Sequence, residues 1–481
     1  MTSRRWLMSL AIAFAASGCA VKQPYRVPAT EPPAAFKEMA AGDEWKVATP
    51  NDDVPKGRWW EVFGDPRLNE LEERIEVNNQ NVRQADAQFR QARALVGAAR
   101  ANYYPVIGAS PSAFQSDIGK NSGRAAGTSQ SFALPLDATW EPDLWGRVRL
   151  SVEHAASEAQ VGAADLENIR LSEQALLATD YFSLAAADMQ QEILRDTIDA
   201  YEKNLKLTVD RFNGGVASRA DITLAQTQLA GAKAQSTDLR IARAEFEHAI
   251  ATLTGRAPAD LDIGPTRIDL PPPSIPVAVP SQLLERRPDI AASERLVAAA
   301  NANVGLARAA YYPTLTLSAS VGVIATNLAN LVSYASRSWT GNATLSQTAT
   351  DFGGRRAQLE AARAGYDATV AGYRQTVLSA FEEVENSLAS LRYLAEEAEQ
   401  QEEAVTAGQQ ALSLENDRYK AGTDSYLNVI TTQTIALNDQ QIAVSILQRR
   451  MSAAVALIKA LGGGWSVASL PGATADGTSR K

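Results

Sequence analysis

Arg418 to Thr434 reads RYKAGTDSYLNVITTQT. A single glycine between two long proline-free runs reads as a tight turn joining two helices. Glycine takes the left-handed position that ends a helix. Ser425, or the neighbouring Asp424, can cap the helix that follows. The unit occurs once before. Arg211 to Thr227 reads RFNGGVASRADITLAQT, and Arg211, Gly215, Ser218, Gln226 and Thr227 match Arg418, Gly422, Ser425, Gln433 and Thr434 at a constant offset of 207. Phe212 and Tyr419, Asp221 and Asn428, and Ile222 and Val429 are conservative pairs. Helix, glycine stop, polar turn and helix therefore occur twice.

A second anchor lies upstream of each turn. Val96 to Pro105, VGAARANYYP, recurs as Val304 to Pro313, VGLARAAYYP, with eight identities in ten. In both copies proline forces the preceding residue out of helical geometry. The apolar period then changes from 3.6 to 2. Leu315, Leu317, Ala319, Val321 and Val323 alternate with Thr314, Thr316, Ser318, Ser320 and Gly322. Trp339, Gly341, Ala343 and Leu345 alternate with Thr340, Asn342, Thr344 and Ser346, and Phe132, Leu134, Leu136, Ala138 and Trp140 with Ser131, Ala133, Asp137 and Thr139. Only the stretch near Val106 to Phe114 alternates weakly. Strands of about ten residues with an apolar face, a small polar face and a tryptophan near one end are the pattern of outer-membrane barrel strands. The linkers Gln115–Gln130 and Ile324–Ser338 then read as extracellular loops. Each half supplies one strand pair, about 106–140 and about 314–346. Four strands cannot close a barrel, and an open edge is not tolerated in lipid. Copies must combine, three giving twelve strands or two giving eight.

The remainder reads as helix. Periodicity predicts helices over Arg67–Asn102, Arg147–Phe212, Arg219–Leu253, Pro288–Ala310, Arg356–Tyr419 and Asp424–Leu461. In each half the long helix is about as long as the two short ones end to end. Val370, Tyr373, Val377, Val384, Leu388 and Leu391 keep heptad-like spacing, as do Val444, Leu447, Met451, Ala454, Ile458 and Leu461. Steps of three and four predict a packed antiparallel coiled-coil seam.

At the amino terminus Arg4 and Arg5 precede an apolar run, Trp6 to Ala16, and then Ser17-Gly18-Cys19. The run is too short to span a membrane and reads as a signal peptide. Cys19, the only cysteine of the chain, sits at the cleavage point, which resembles a bacterial lipobox with Ala16 in place of the usual leucine. The expected layout is a signal peptide over 1–18, a lipidated tether over 19–58, a first repeat over 59–264, a linker over 265–287, a second repeat over 288–464 and a flexible tail over 465–481. The single cysteine excludes an internal disulfide. A net charge of −9 without a basic stripe argues against nucleic acid as a partner. His154 and His248, the only histidines, lie too far apart in sequence for a His/Cys zinc site. No phosphate-binding glycine loop, nucleophile elbow or His-Glu-x-x-His run is present, so neither an enzyme nor an ATP-driven pump is expected.

The lipobox, the doubled Tyr-Tyr-Pro strand entry, the two glycine turns and the closing Ala-Leu-Gly-Gly-Gly-Trp together resemble the TolC-like outer-membrane factors of tripartite efflux pumps, in their lipoprotein (OprM/NodT-type) branch. Asp143-Leu-Trp-Gly-Arg147 and Asp351-Phe-Gly-Gly-Arg355 belong to the same pattern. The resemblance covers Cys19 to Trp465. It implies a homotrimer whose twelve-stranded β-barrel in the outer membrane continues into a twelve-helix α-barrel in the periplasm. It implies as partners a periplasmic adaptor protein and an inner-membrane pump of the RND type, with covalent lipid on Cys19 and no other cofactor. The tip turns at Gly215 and Gly422 would form the periplasmic gate, with Asp424 or Asp221 in the acidic ring and Tyr419 and Arg418 as locking residues. The family's two second-repeat aspartates are Asn428 and Thr431 here, which leaves Asp424 as the local acid. The expected function is a passive exit channel for drugs, solvents or other toxic organic molecules. A coiled-coil periplasmic spacer is the alternative, and metal efflux and protein export use the same architecture. The five scattered methionines favour organic cargo over copper or silver.

Overall fold

The structure is a computed structural model and describes residues 24–30, 33, 35–38, 57–119, 121, 127–273, 275, 286–465 and 470. Cys19, the signal run and nearly all of the tail lie outside these residues. The chain divides into two compact units, residues 1–29, 88–162 and 292–374, and residues 30–87, 163–291 and 375–481.

Seven α-helices are described: α1 (Pro66–Asn78), α2 (Gln80–Ala101), α3 (Arg147–Asn213), α4 (Arg219–Leu253), α5 (Pro288–Ala309), α6 (Gly354–Lys420) and α7 (Tyr426–Ala460). The long helices α3 and α6 have 67 residues each, about 100 Å at 1.5 Å per residue. Both start from an aspartate cap. Asp143 accepts from the amides of Val148 and Arg149, at 2.9 Å each, and Asp351 accepts from the Arg355 amide at 2.9 Å. The Asp-x-x-Gly-Arg motifs are thus helix-entry devices. No described helix is long and apolar enough to cross a membrane.

The expected single helix over 67–102 is two helices, broken at Asn79. Its backbone is extended (φ −62°, ψ 127°), and its side chain does three jobs. The Oδ1 atom accepts from the Asn81 and Val82 amides and so caps α2. The Nδ2 group donates to Glu173 and to the Leu253 carbonyl. These tertiary partners outweigh the gain from continuing the helix. The tether expectation also changes where residues are described. In the first unit the Tyr25 hydroxyl donates to the Glu294 carboxylate. In the second, Phe36 is buried and the Lys37 and Glu38 amides donate to Glu385 at 2.7 and 3.0 Å.

The first unit holds an antiparallel sheet of five strands, β1 (Val106–Ala109), β2 (Ser112–Ile118), β3 (Gly127–Trp140), β4 (Thr314–Ala325) and β5 (Arg337–Ser346). β1 and β2 both pair with β3 in one register and occupy a single strand position. The four positions run β1/β2, β3, β4, β5, so the centre of the sheet joins the two halves of the chain. The break at Ser110-Pro111 has a local cause. Pro135 stands opposite Ser110, Pro111 follows one residue on, and both lack N–H donors, so the ladder is reduced to a long bond from the Ser110 amide to the Pro135 carbonyl at 3.4 Å. On the other side of β3, Pro135 faces Gly322.

The second unit is anchored by a 3-10 turn, Trp59–Phe63, whose aromatic rings are all 2–3% exposed. Phe63 packs on Phe182 with centroids 5.0 Å apart. Asp65 caps α1 through the Arg67 and Leu68 amides and accepts from the Tyr181 hydroxyl at 2.6 Å. Of the heptad positions, Tyr373, Val377, Val384, Leu388 and Leu391 of α6 and Val444, Met451, Ala454 and Ile458 of α7 are buried.

Candidate functional site

Two features carry functional chemistry, the sheet in the first unit and the paired tip turns in the second. Opposed residues of an antiparallel pair lie on one face, so the registers assign the faces. Leu134, Leu136, Ala138 and Trp140 oppose Val323, Val321, Ala319 and Leu317. Leu315, Leu317 and Val321 oppose Leu345, Ala343 and Trp339. Every one of these pairs is apolar on apolar. The other face pairs Asp137 with Ser320, Thr139 with Ser318, Ser318 with Asn342 and Thr316 with Thr344. The apolar face is uncovered: Leu136 is 54%, Val321 59%, Leu345 65% and Trp339 82% exposed. At the Trp140 end, aromatic residues are tied to the chain. Trp140 donates to the Tyr103 carbonyl at 3.0 Å, and Trp145 donates to the Pro313 carbonyl and stacks on Tyr312.

The tip turns share one backbone design. α3 ends with Gly215 N–H bonded to the Phe212 carbonyl and Val216 N–H to the Arg211 carbonyl. α6 ends with Gly422 N–H on Tyr419 and Thr423 N–H on Arg418. Gly215 and Gly422 have φ of 76° and 78°, the left-handed stop that a side chain disfavours. The caps that follow differ. In the first turn Ser218 and Asp221 form a reciprocal capping box. In the second the Ser425 side chain makes no cap bond. Asp424 acts instead, accepting from the Ser425 amide at 2.7 Å and from Asn428 Nδ2 at 2.6 Å. Asn428 stands where the first turn has Asp221, and it turns back to Asp424.

The second oxygen of Asp424 pairs with Arg418 at 2.9 Å, and Arg418 also reaches Glu415 at 2.8 Å. The Ser425 amide and the Asn428 side chain, with smaller contributions from Glu415 and Arg418, hold the Asp424 carboxyl below the usual carboxylate range. Tyr419 is 6% exposed within its own chain. Its ring lies 5.3 Å from Tyr426, its hydroxyl 3.3 Å from the Thr208 hydroxyl, and the Arg211 guanidinium sits 4.4 Å over its face. Arg211 also donates to the Tyr419 carbonyl. Burial, with Tyr419, Tyr201 and Asp221 nearby, pushes the Tyr426 phenol up to about 12. The structure therefore groups Arg418 with Asp424, places Tyr419 against the first turn of the same chain, and gives Asp221 a separate cap. Arg211, Thr208 and Tyr426 were missing from the sequence-derived set. Arg211 was legible as the repeat counterpart of Arg418.

Comparison with known proteins follows the same lines. The pattern of the family described as "Outer membrane efflux protein" matches residues 71–256 and 279–463. The chain is similar to the toluene efflux pump outer membrane protein TtgC of Pseudomonas putida, 30% identical over 467 residues, covering 95% of this chain and 96% of that protein. It is 32% identical over 437 residues to the pyoverdine export outer membrane protein OpmQ of Pseudomonas aeruginosa, covering 89% and 92%. Among solved structures, the outer-membrane channel OprN superposes with a TM-score of 0.85 at 30% identity, covering 93% of this chain and all of that one. With the family pattern spanning both halves and an uncovered apolar sheet face, this chain belongs to the outer membrane efflux proteins, the TolC-like channels that form the outer-membrane part of efflux systems.

Proposed function

We propose that the chain forms the exit duct of a tripartite efflux system, with three copies closing one twelve-stranded barrel. The observation that carries this is the sheet itself. It has one uncovered apolar face, and β1/β2 and β5 each leave an edge unpaired among the described residues. In lipid such edges are satisfied only by closure with further copies. Two copies would also close a barrel, and the family resemblance supports three. A coiled-coil spacer has no use for this face. The helices would line the periplasmic part of the duct, and a periplasmic adaptor and an inner-membrane pump of the RND type would deliver cargo and energy. The toluene, antibiotic and pyoverdine exporters among its relatives support small organic molecules as cargo, selected by the pump. Covalent lipid on Cys19 would add an anchor, and Cys19→Ser is expected to abolish acyl labelling while leaving the barrel able to insert.

The tip turns would form the gate. Within the chain Arg211 holds Tyr419. The same contact repeated between neighbouring copies would bring Arg418 onto Phe212, which are 57% (side chain) and 40% exposed in one chain. Removing the gene from a strain with its pump intact is expected to raise accumulation of toluene or a lipophilic dye. Wild type should restore efflux and Leu317→Arg should not. Unchanged accumulation of every organic compound tested would overturn the proposal.

A further inference from the structure

We infer that Arg337 binds the phosphoryl group of an anionic outer-leaflet lipid at the rim of the sheet. The inference rests on the barrel reading above. Arg337 is the only basic residue in the described strands, and it lies on the apolar face. It opposes Val323, which opposes Leu134. The next row toward the helices holds Leu136, Val321 and Trp339. The next row outward on the same face holds Ala113, Phe132 and Ala325, and beyond it the face turns polar, with Gln115 opposite Gln130 and Asp117 opposite Thr128. Arg337 therefore stands one row inside the limit of the apolar band, where hydrocarbon gives way to headgroups.

Its surroundings fit that depth. The guanidinium lies 4.3 Å over the Tyr334 ring, Tyr334 is 79% exposed, and Trp339 two positions on is 82% exposed. Tyrosine and tryptophan favour the membrane interface. No ion pair to Arg337 occurs among the described residues, and the nearest strand carboxylates do not supply one. Asp137 is on the opposite face, and Asp117 is bonded to Thr128 above the band. A stacked guanidinium keeps its N–H fork in the plane of the group, free for two oxygens of one anion. At this level the available anion is a lipid phosphate.

The test uses full-length protein in nanodiscs of phosphatidylcholine doped with phosphatidic acid, with retained lipids counted by native mass spectrometry. Wild type should retain phosphatidic acid in preference to phosphatidylcholine, about one molecule per chain. Arg337→Gln should lower that preference at least about tenfold, while Arg219→Gln, on α4, should leave it unchanged. Equal retention by Arg337→Gln and wild type in properly inserted protein would overturn the site alone. Failure of wild type itself to insert would instead overturn the barrel reading and the site with it.

Discussion

Replacing Gly322 with alanine would place a Cβ 2.3 Å from the Leu134 carbonyl oxygen and 2.7 Å from the Pro135 Cα. Both obstacles are backbone, so no rotamer change relieves them and the two central strands must part. Gly341 is the natural control. It lies in the neighbouring strand, opposite Ala319, and a Cβ there meets nothing within 4 Å. Alanine for glycine in a strand gains about 0.5–1 kcal/mol from the unfolded chain at either site. That gain cancels between the two variants. What remains is overpacking, about 1–3 kcal/mol per chain. Guanidinium unfolding in detergent, followed by the circular dichroism of the sheet, reads the difference. Gly341→Ala should match or exceed wild type, and Gly322→Ala should have a clearly lower midpoint and less assembled protein. Equal midpoints for the two variants would refute the claim that Gly322 makes room for Pro135 where the halves of the chain meet.

The face assignment predicts that Leu317→Arg, which would face lipid at a cost of about 2–4 kcal/mol near the midplane, blocks insertion while Ser318→Arg is tolerated; heat-modifiable mobility on gels separates them. Glu72 is fully buried, neither carboxylate oxygen has a hydrogen-bond partner among the described residues, and burial raises its pKa well above the usual value. Its neutral form is the stable one in the fold, so its contribution is complete below about pH 4, where the unfolded carboxyl is also protonated, and is lost as pH rises toward the folded pKa. Glu72→Gln should therefore raise the denaturation midpoint at pH 7–8, with the difference vanishing below about pH 4. Asp424→Asn should leave Arg418 paired with Glu415 alone and reduce cation selectivity, recorded at low salt because exposed charges are screened beyond about 8 Å at physiological ionic strength. Unchanged selectivity would leave Asp424 as a helix cap only.

Where the fold was legible in the sequence, one physical signal dominated. The long helices end within a few residues of their predicted limits because nothing inside them breaks the 3.6 period, and Gly215 and Gly422 mark their stops. β3, β4 and β5 were readable from strict alternation. β1/β2 was weak for a reason the register supplies: Pro111 and Pro135 interrupt the ladder there and the strand carries less alternation. The break at Asn79 was not legible, since the partners that hold it, Glu173 and Leu253, are distant in sequence. At the tip the sequence pointed to Arg418, Tyr419, Asp424 and Asp221 but not to their pairing, nor to Arg211, Thr208 and Tyr426. Arg418 reaches Asp424 only because the glycine turn folds back, and Tyr419 is buried by Arg211 of the preceding turn. Contacts across two turns depend on geometry that one local pattern does not contain.

A gated duct is tested most directly by single-channel recording in planar bilayers. Purified wild-type protein should show discrete unitary currents, small in the resting state. Arg211→Ala combined with Tyr419→Ala, which removes the clasp between the two turns of one chain, should give larger unitary conductance. Absence of unitary currents from both proteins, each shown to be folded and inserted, would contradict the duct and leave the chain without a conducting path.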